Sequence, residues 1–225
     1  MRFDSFKEVS MKIAKQKYSI NKIGKTITDI DAVVEDIIEK SKNFIKEKTW
    51  GDIIFERKYI KIIDVYDEKR IVKVNIKFVF SDEVKTYSMI GIFKPNKNID
   101  IRIRFKTYSI IQDINWEKFF NTLKYTINHE IGHAKREIKK TLPTEQSIKK
   151  GIKARRYPLE FDADISAYID LYNDYVQAFG SIMTYDQFFD MMKSYNASSY
   201  YAYTTPKWRK KVIKRLAREG IILER

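Results

Sequence analysis

Two stretches of strict alternation constrain the first half of this chain. Val72, Val74, Ile76, Phe78 and Phe80 alternate with Lys73, Asn75 and Lys77. Ile99, Ile101, Ile103 and Phe105 alternate with Asp100, Arg102, Arg104 and Lys106. A period of two puts one apolar and one polar face on a strand, the pattern of a sheet wet on one side. Two less regular runs, Ile53–Tyr66 and Thr86–Phe93, bring the strands to four. The connections Tyr66–Lys69, Ser81–Glu83 and Pro95–Asn98 are turn-like and short enough for hairpins, so an antiparallel sheet is expected. Upstream, Asp29–Lys48 repeats Ile30, Val33, Val34, Ile37, Ile38 and Phe44 at helical spacing. After Asp113 the pattern is helical throughout, with helices expected near 115–140, 144–154, 158–179, 184–195 and 206–219. No repeat, low-complexity tract or flexible linker interrupts the chain. Strands followed by helices predict one α+β domain over residues 1–225, with a helical part at 1–50, a sheet at 51–112 and a helical part at 113–225.

Composition narrows the function classes. With 225 residues, 44% of them apolar and 14% aromatic, the chain can bury a sizeable core and is not a disordered polymer. No apolar run approaches the roughly 20 residues that cross a bilayer. The N-terminus, MRFDSFKEVSMKIAKQKYS, carries charge in every turn and lacks the apolar region of a signal peptide. The absence of cysteine removes disulfides, zinc ribbons and thiol nucleophiles together, and suits a reducing interior. The expected location is a bacterial cytoplasm, or a virion if the chain is phage-encoded. A formal charge of +14 favours acidic partners such as nucleic acid or an anionic surface. It equally follows from a Lys-, Ile-, Asn- and Tyr-rich composition of the kind AT-rich genomes produce.

The chemistry concentrates in Asn128-His129-Glu130-Ile131-Gly132-His133, which holds both histidines of the chain. The segment lies in a helix whose apolar stripe is Phe120, Leu123, Ile127, Ile131, Ala134 and Ile138. At about 100° per residue the two histidines sit ~40° apart and Glu130 ~60° beyond His133. One side of the helix can therefore pack on the sheet while the other offers two imidazoles to one ion. Zn2+ suits such ligands, and a catalytic zinc keeps three protein ligands and one open position. With no cysteine or third histidine, the third ligand must be a carboxylate. The best candidate is in Tyr157-Pro158-Leu159-Glu160-Phe161-Asp162-Ala163-Asp164. Pro158 suits a first helical turn, which puts Glu160 early in that helix and Asp164 one turn later on the same face. Glu160 thus reads as the third ligand and Asp164 as the acceptor that orients a ligand histidine. Asp162, ~200° from Glu160, points elsewhere and is expected in solvent.

His129-Glu130-Ile131-Gly132-His133 followed by Glu160-Phe161-Asp162-Ala163-Asp164 resembles the HExxH…ExxAD arrangement of gluzincin-type zinc metallopeptidases. The resemblance covers roughly residues 115–175. It implies a zincin-like fold, zinc on His129, His133 and Glu160, Glu130 as general base, and Asp164 in support. Gly132, which also recurs in that group, would let a neighbouring segment approach closely. Membrane-embedded members carry transmembrane helices that this chain lacks, and soluble relatives include phage and mobile-element peptidases. The implied reaction is hydrolysis of peptide bonds in a protein or peptide substrate. An oxyanion partner would have to be Tyr or Arg, since histidine is exhausted; Tyr157, Tyr168, Tyr200, Tyr201 and Tyr203 qualify by position alone. The resemblance also implies an edge strand above the active-site helix that aligns substrate, and Ile99–Lys106 is the expected strand, its Arg102, Arg104 and Lys106 face favouring acidic substrates.

The segment Pro206–Arg218 carries seven Lys/Arg and no acid, with Trp208, Val212, Ile213 and Leu216 on one side. Such a helix can bind nucleic acid or simply cap the fold with a wet cationic face, and the second is the expectation. Two further readings stand beside the peptidase. One is a basic nucleic-acid-associated or virion structural protein with a vestigial or structural zinc site. The other is a zinc hydrolase acting on non-peptide substrate.

Overall fold

In the computed structural model, residues 25–47, 55–65, 68–94, 98–107, 110–137 and 158–224 are described. The fold is α+β. The elements are β1 (Lys25–Thr26), α1 (Ile30–Glu47), β2 (Phe55–Val65), β3 (Glu68–Phe80), β4 (Tyr87–Lys94), β5 (Asn98–Phe105), α2 (Trp116–Glu137), α3 (Pro158–Phe179), α4 (Tyr185–Tyr195), α5 (Ala197–Tyr203) and α6 (Pro206–Arg218). The expected helix near 144–154 lies outside the described residues.

The five strands run in the order β1-β2-β3-β5-β4. Two hairpins supply most of the sheet: β2 with β3, ending at Val65 opposite Glu68, and β4 with β5, ending at Lys94 opposite Asn98. The hairpins join through β3 and β5, which are parallel, and β1 is parallel to β2. The sheet is therefore mixed, not antiparallel throughout, and Ser81–Glu83 leads past β5 rather than forming a hairpin. Burial accounts for the arrangement. Ile99, Ile101, Ile103 and Phe105 are at most 1% exposed beside Val74, Ile76 and Phe78, which are fully buried. The two most apolar strand faces thus sit together at the centre, where cover is most complete. β4, with Ser88 and Gly91 in its length, takes the edge. The expectation of Ile99–Lys106 as the edge strand is corrected accordingly. Arg102 and Arg104 lie on the uncovered sheet face, not along an open edge.

Helices α1 and α2 cover the apolar face. Val33, Val34, Ile37, Phe44 and Ile45 of α1 join Phe119, Leu123, Ile127, Ile131 and Ala134 of α2 in one core with the strand residues. Asp29 and Asn115 open these helices by accepting from the backbone N–H of Asp31 and Lys118, at 2.8 and 2.9 Å. A second core forms among α3, α4, α5 and α6 around Phe161, Ile165, Tyr168, Phe188, Phe189, Met192, Val212 and Leu216. Thr184 starts α4 with a reciprocal capping box, and Asn196 ends it and caps α5, a helix the sequence pattern does not single out. In α6, Val212 and Leu216 are buried while Lys207, Lys210, Lys211 and Lys214 are exposed. Among the described residues no helix is long and apolar enough to cross a membrane.

Helix α2 belongs to both cores: its Ile127/Ile131 stripe faces the sheet, and Tyr125 enters the second core. On the α3 side Gly132 is the point of closest approach. A Cβ there would lie 3.0 Å from the Ala163 carbonyl oxygen, 3.1 Å from Ala163 Cα and 3.2 Å from Ser166 Cβ. Two of those atoms are backbone and cannot rotate away. Gly132→Ala is therefore expected to lower stability by about 1–3 kcal/mol despite alanine's better helix propensity. Thermal unfolding of the metal-free protein checks it; an unchanged or raised midpoint would mean that the helices are not in contact at this point.

Candidate metal centre

Tyr125, His129 and His133 recur every fourth residue and so form one stripe of α2. The stripe faces the N-terminal turn of α3, where Pro158 sets the helical φ and Glu160 follows two residues later. His129 Nε2 and His133 Nε2 are 3.1 Å apart. Glu160 closes the triangle, with Oε2 3.4 Å from His129 Nε2 and Oε1 3.4 Å from His133 Nε2. Among the described residues these three form a group able to hold a metal ion. Ligands at about 2.0–2.1 Å in tetrahedral array around zinc are separated by about 3.4 Å. The observed edges are close to that value, so the donor set and its spacing fit zinc. His129 is buried, whereas His133 and Glu160 are partly exposed, which leaves the centre approachable from their side.

Asp164 stands one turn beyond Glu160, fully buried, with Oδ1 2.8 Å from His129 Nδ1. That contact fixes the ring: Nδ1–H donates to the carboxylate and Nε2 turns to its partners. Electrostatics follow the same geometry. Burial works against a charged His129, but its hydrogen bonds to Asp164 and Glu160 outweigh burial and raise its pKa to about 9 in the metal-free protein. Burial alone would raise the Glu160 carboxyl, yet its bonds to His129 and His133 hold it well below the usual carboxylate range.

Glu130 lies on the sheet side of the cluster, 6% exposed, beneath the edge strand β4. Gly91 makes that position available. A Cβ on residue 91 would fall 2.5 Å from Glu130 Oε1, 2.6 Å from Cγ and 2.8 Å from Cδ. The absent side chain at residue 91 is thus the space that Glu130 occupies. Sequence pattern carries no sign of this pairing, because the two residues belong to different elements.

No family model, curated protein or solved structure matches the chain. The chemistry of the site therefore rests on its own geometry. Of the residues singled out in the sequence, His129, His133, Glu160 and Asp164 come together, and Glu130 lies beside them. Asp162 does not lie free in solvent: it is half-buried, and Arg215 Nε of α6 is 3.5 Å from its Oδ1. The five tyrosines separate. Tyr157 is outside the described residues, Tyr201 is exposed, and Tyr200 meets it edge-on with ring centroids 5.3 Å apart. Tyr168 is buried against Tyr125 and Phe188. Tyr203 does reach the site, but its hydroxyl donates to Asp164 Oδ2 at 2.6 Å. Tyr125 and Ser199, which the sequence reading missed, also contact Asp164. The fourfold spacing 125–129–133 was a signal for the first; nothing in the sequence marks the second.

Two outcomes follow from this geometry. Only the neutral ring ligates, so zinc must displace the His129 proton. Zinc affinity is therefore expected to rise about tenfold per pH unit through neutrality and to level off above pH 9, with close to one proton released from this residue at pH 7. Calorimetry in buffers of different ionisation enthalpy measures that release. Second, Gly91→Ala should displace the flexible Glu130 side chain rather than the backbone. Zinc affinity and melting temperature are then expected to hold while any Glu130-dependent activity falls.

Proposed function

We propose that the chain is a zinc-dependent metallopeptidase of gluzincin type, with a zincin-like architecture, that hydrolyses peptide bonds in protein substrates. The observation that carries this reading is the His129–His133–Glu160 triangle, with edges of 3.1, 3.4 and 3.4 Å, beside a buried carboxylate that is not part of it. A structural zinc site usually uses four protein ligands and has no need of Glu130, whereas a hydrolytic one needs an open position and a base.

Zinc held by these residues would supply a Lewis acid for the scissile carbonyl and bring the pKa of water toward about 7. The side chains do the rest. Asp164 holds the His129 ring with Nε2 facing its partners. Glu130 takes a proton from the attacking water and passes it to the departing amine as the C–N bond breaks. The position of Glu130 between α2 and β4 restricts its motion and limits its solvation.

Substrate alignment is proposed for β4 in place of β5. Among the described residues β4 pairs only with β5, so its other edge presents backbone N–H and C=O groups. An extended segment added to that edge would pass over Gly91 and the Glu130 carboxylate beneath it. Main-chain pairing of this kind reads backbone, not charge, so acidic substrates are not required.

The test combines metal content with cleavage. The purified protein is expected to contain one zinc per chain and to cut unfolded polypeptide, detected as new termini by mass spectrometry. Glu130→Gln should keep the zinc and lose roughly 10²–10⁴-fold in cleavage rate. A wild-type protein that binds no zinc would remove the site. Equal cleavage by Glu130→Gln would remove the mechanism but leave the metal.

A further inference from the structure

Asp164 is fully buried, and its two carboxylate oxygens are shared among four side chains from two other helices, α2 and α5. Oδ1 lies 2.8 Å from His129 Nδ1 and also accepts from the Tyr125 hydroxyl. Oδ2 accepts from Tyr203 at 2.6 Å and from Ser199 at 3.0 Å. The Tyr125 and Ser199 hydroxyl oxygens are themselves 2.9 Å apart, which closes the ring. All of these groups are at least nine-tenths buried. A carboxylate offers about four lone-pair positions, and here both oxygens have two neighbours each. Nothing is left over for the group to rotate toward.

We propose that Tyr125, Ser199 and Tyr203 are positioning residues of the metal centre, which hold the Asp164 carboxylate in the one orientation that aims His129 Nε2 at the ion. The segment Asn196–Tyr203 is thereby a working part of the site, remote in sequence from either motif. Asn196 sets it in place: its side chain accepts from the Ser199 backbone N–H and starts α5. Tyr203 is held in turn by Phe161, with ring centroids 5.4 Å apart, and by Trp208, at 5.7 Å. Phe161 adjoins the ligand Glu160, so one packed unit fixes both a ligand and the acceptor behind another ligand.

The physical basis is the cost of a buried charge. An ionised carboxylate out of water needs strong donors, and hydroxyl donors at 2.5–2.7 Å are among the strongest. Remove one, and the carboxylate turns toward the remaining donors, carrying its bond to His129 Nδ1 with it. Changes to the acceptor behind a ligand histidine usually cost 10–100-fold in metal affinity. Tyr203 and Ser199 act one step further out. Each of Tyr203→Phe and Ser199→Ala is therefore expected to weaken zinc binding about three- to tenfold, and the pair 10–100-fold.

This inference rests on the zinc site proposed above but not on peptidase activity. The chain has only two histidines, so imidazole nitrogen spectra of labelled protein are assignable without ambiguity. Zinc affinity would be measured by chelator competition, alongside those spectra and the melting temperature, for wild type, both single variants and the double variant. The expected result is weaker zinc binding with a shifted His129 Nδ1–H resonance, while His133 is little changed. A folded Ser199→Ala/Tyr203→Phe protein with wild-type affinity and an unmoved resonance overturns the proposal. Should the double variant fail to fold, Tyr203→Phe alone decides by the same two readings, since it keeps the ring that packs on Phe161. If wild type binds zinc without cleaving peptide, the function is wrong and this inference still stands or falls on its own measurements.

Discussion

The crossing of α2 and α3 at Gly132 and Ala163 is the constraint on which the candidate metal centre depends. A helix contact at backbone distance is available only where one side chain is missing, and Gly132 is that place. It lies between the two histidines in sequence, so the closest approach and the imidazoles share one turn of helix. Glu160 and Asp164 flank Ala163 on the other helix and are carried in by the same contact. With an ordinary side chain at residue 132 the helices would separate. The 3.4 Å gaps between Glu160 and the imidazoles, which already match what an ion would bridge, would widen with them.

Around that crossing, the charged side chains meet other groups. Asp164 faces His129 and three hydroxyls, and Glu160 faces both imidazoles. Further along α2, the buried Lys124 reaches Asp31 of α1 at 2.6 Å and Asp174 of α3 at 3.0 Å. Burial opposes the lysine's charge, and the two carboxylates more than restore it, so its pKa ends above the ordinary value. The two aspartates stay partly in water, but a buried lysine ammonium left without them would be costly, so any arrangement that breaks the pairs is disfavoured. They fix the register of α2 between its neighbours. That register decides whether His129 meets Asp164 or misses it.

The legible part of this fold was local. The strand faces were readable because Val72 to Phe78 and Ile99 to Phe105 alternate without a break, and the candidate site because His129 with His133, and Glu160 with Asp164, are each one helical turn apart. What escaped the sequence was set by long-range packing. Alternation shows that a strand has a buried face but says nothing about its neighbours, so β5 could not be placed at the centre beside β3. The competition that decided it, which strand most needs cover on both flanks, exists only once the strands are compared in one sheet. Asp162 failed for a similar reason. Its angle on α3 was right, but the partner on that side, Arg215, comes from a helix fifty residues away.

The same limit explains why Ser199 and Gly91 carried no signal. A serine in a short helix and a glycine in a strand are ordinary residues until the chain brings them to Asp164 and Glu130. The two differ in an instructive way. Ser199 acts by supplying a donor to a buried charge, so its value depends on an oxygen at 3.0 Å. Gly91 acts by supplying nothing, since the space its side chain would fill holds the carboxylate of Glu130. An added hydroxyl could replace the first in principle, but no side chain can replace the second. The Glu130 side of the candidate centre is thus set by sterics and the His129 side by hydrogen bonds. On the proposed reading, a substitution at the edge strand should therefore disturb chemistry without loosening the ion, whereas one in α5 should loosen the ion itself.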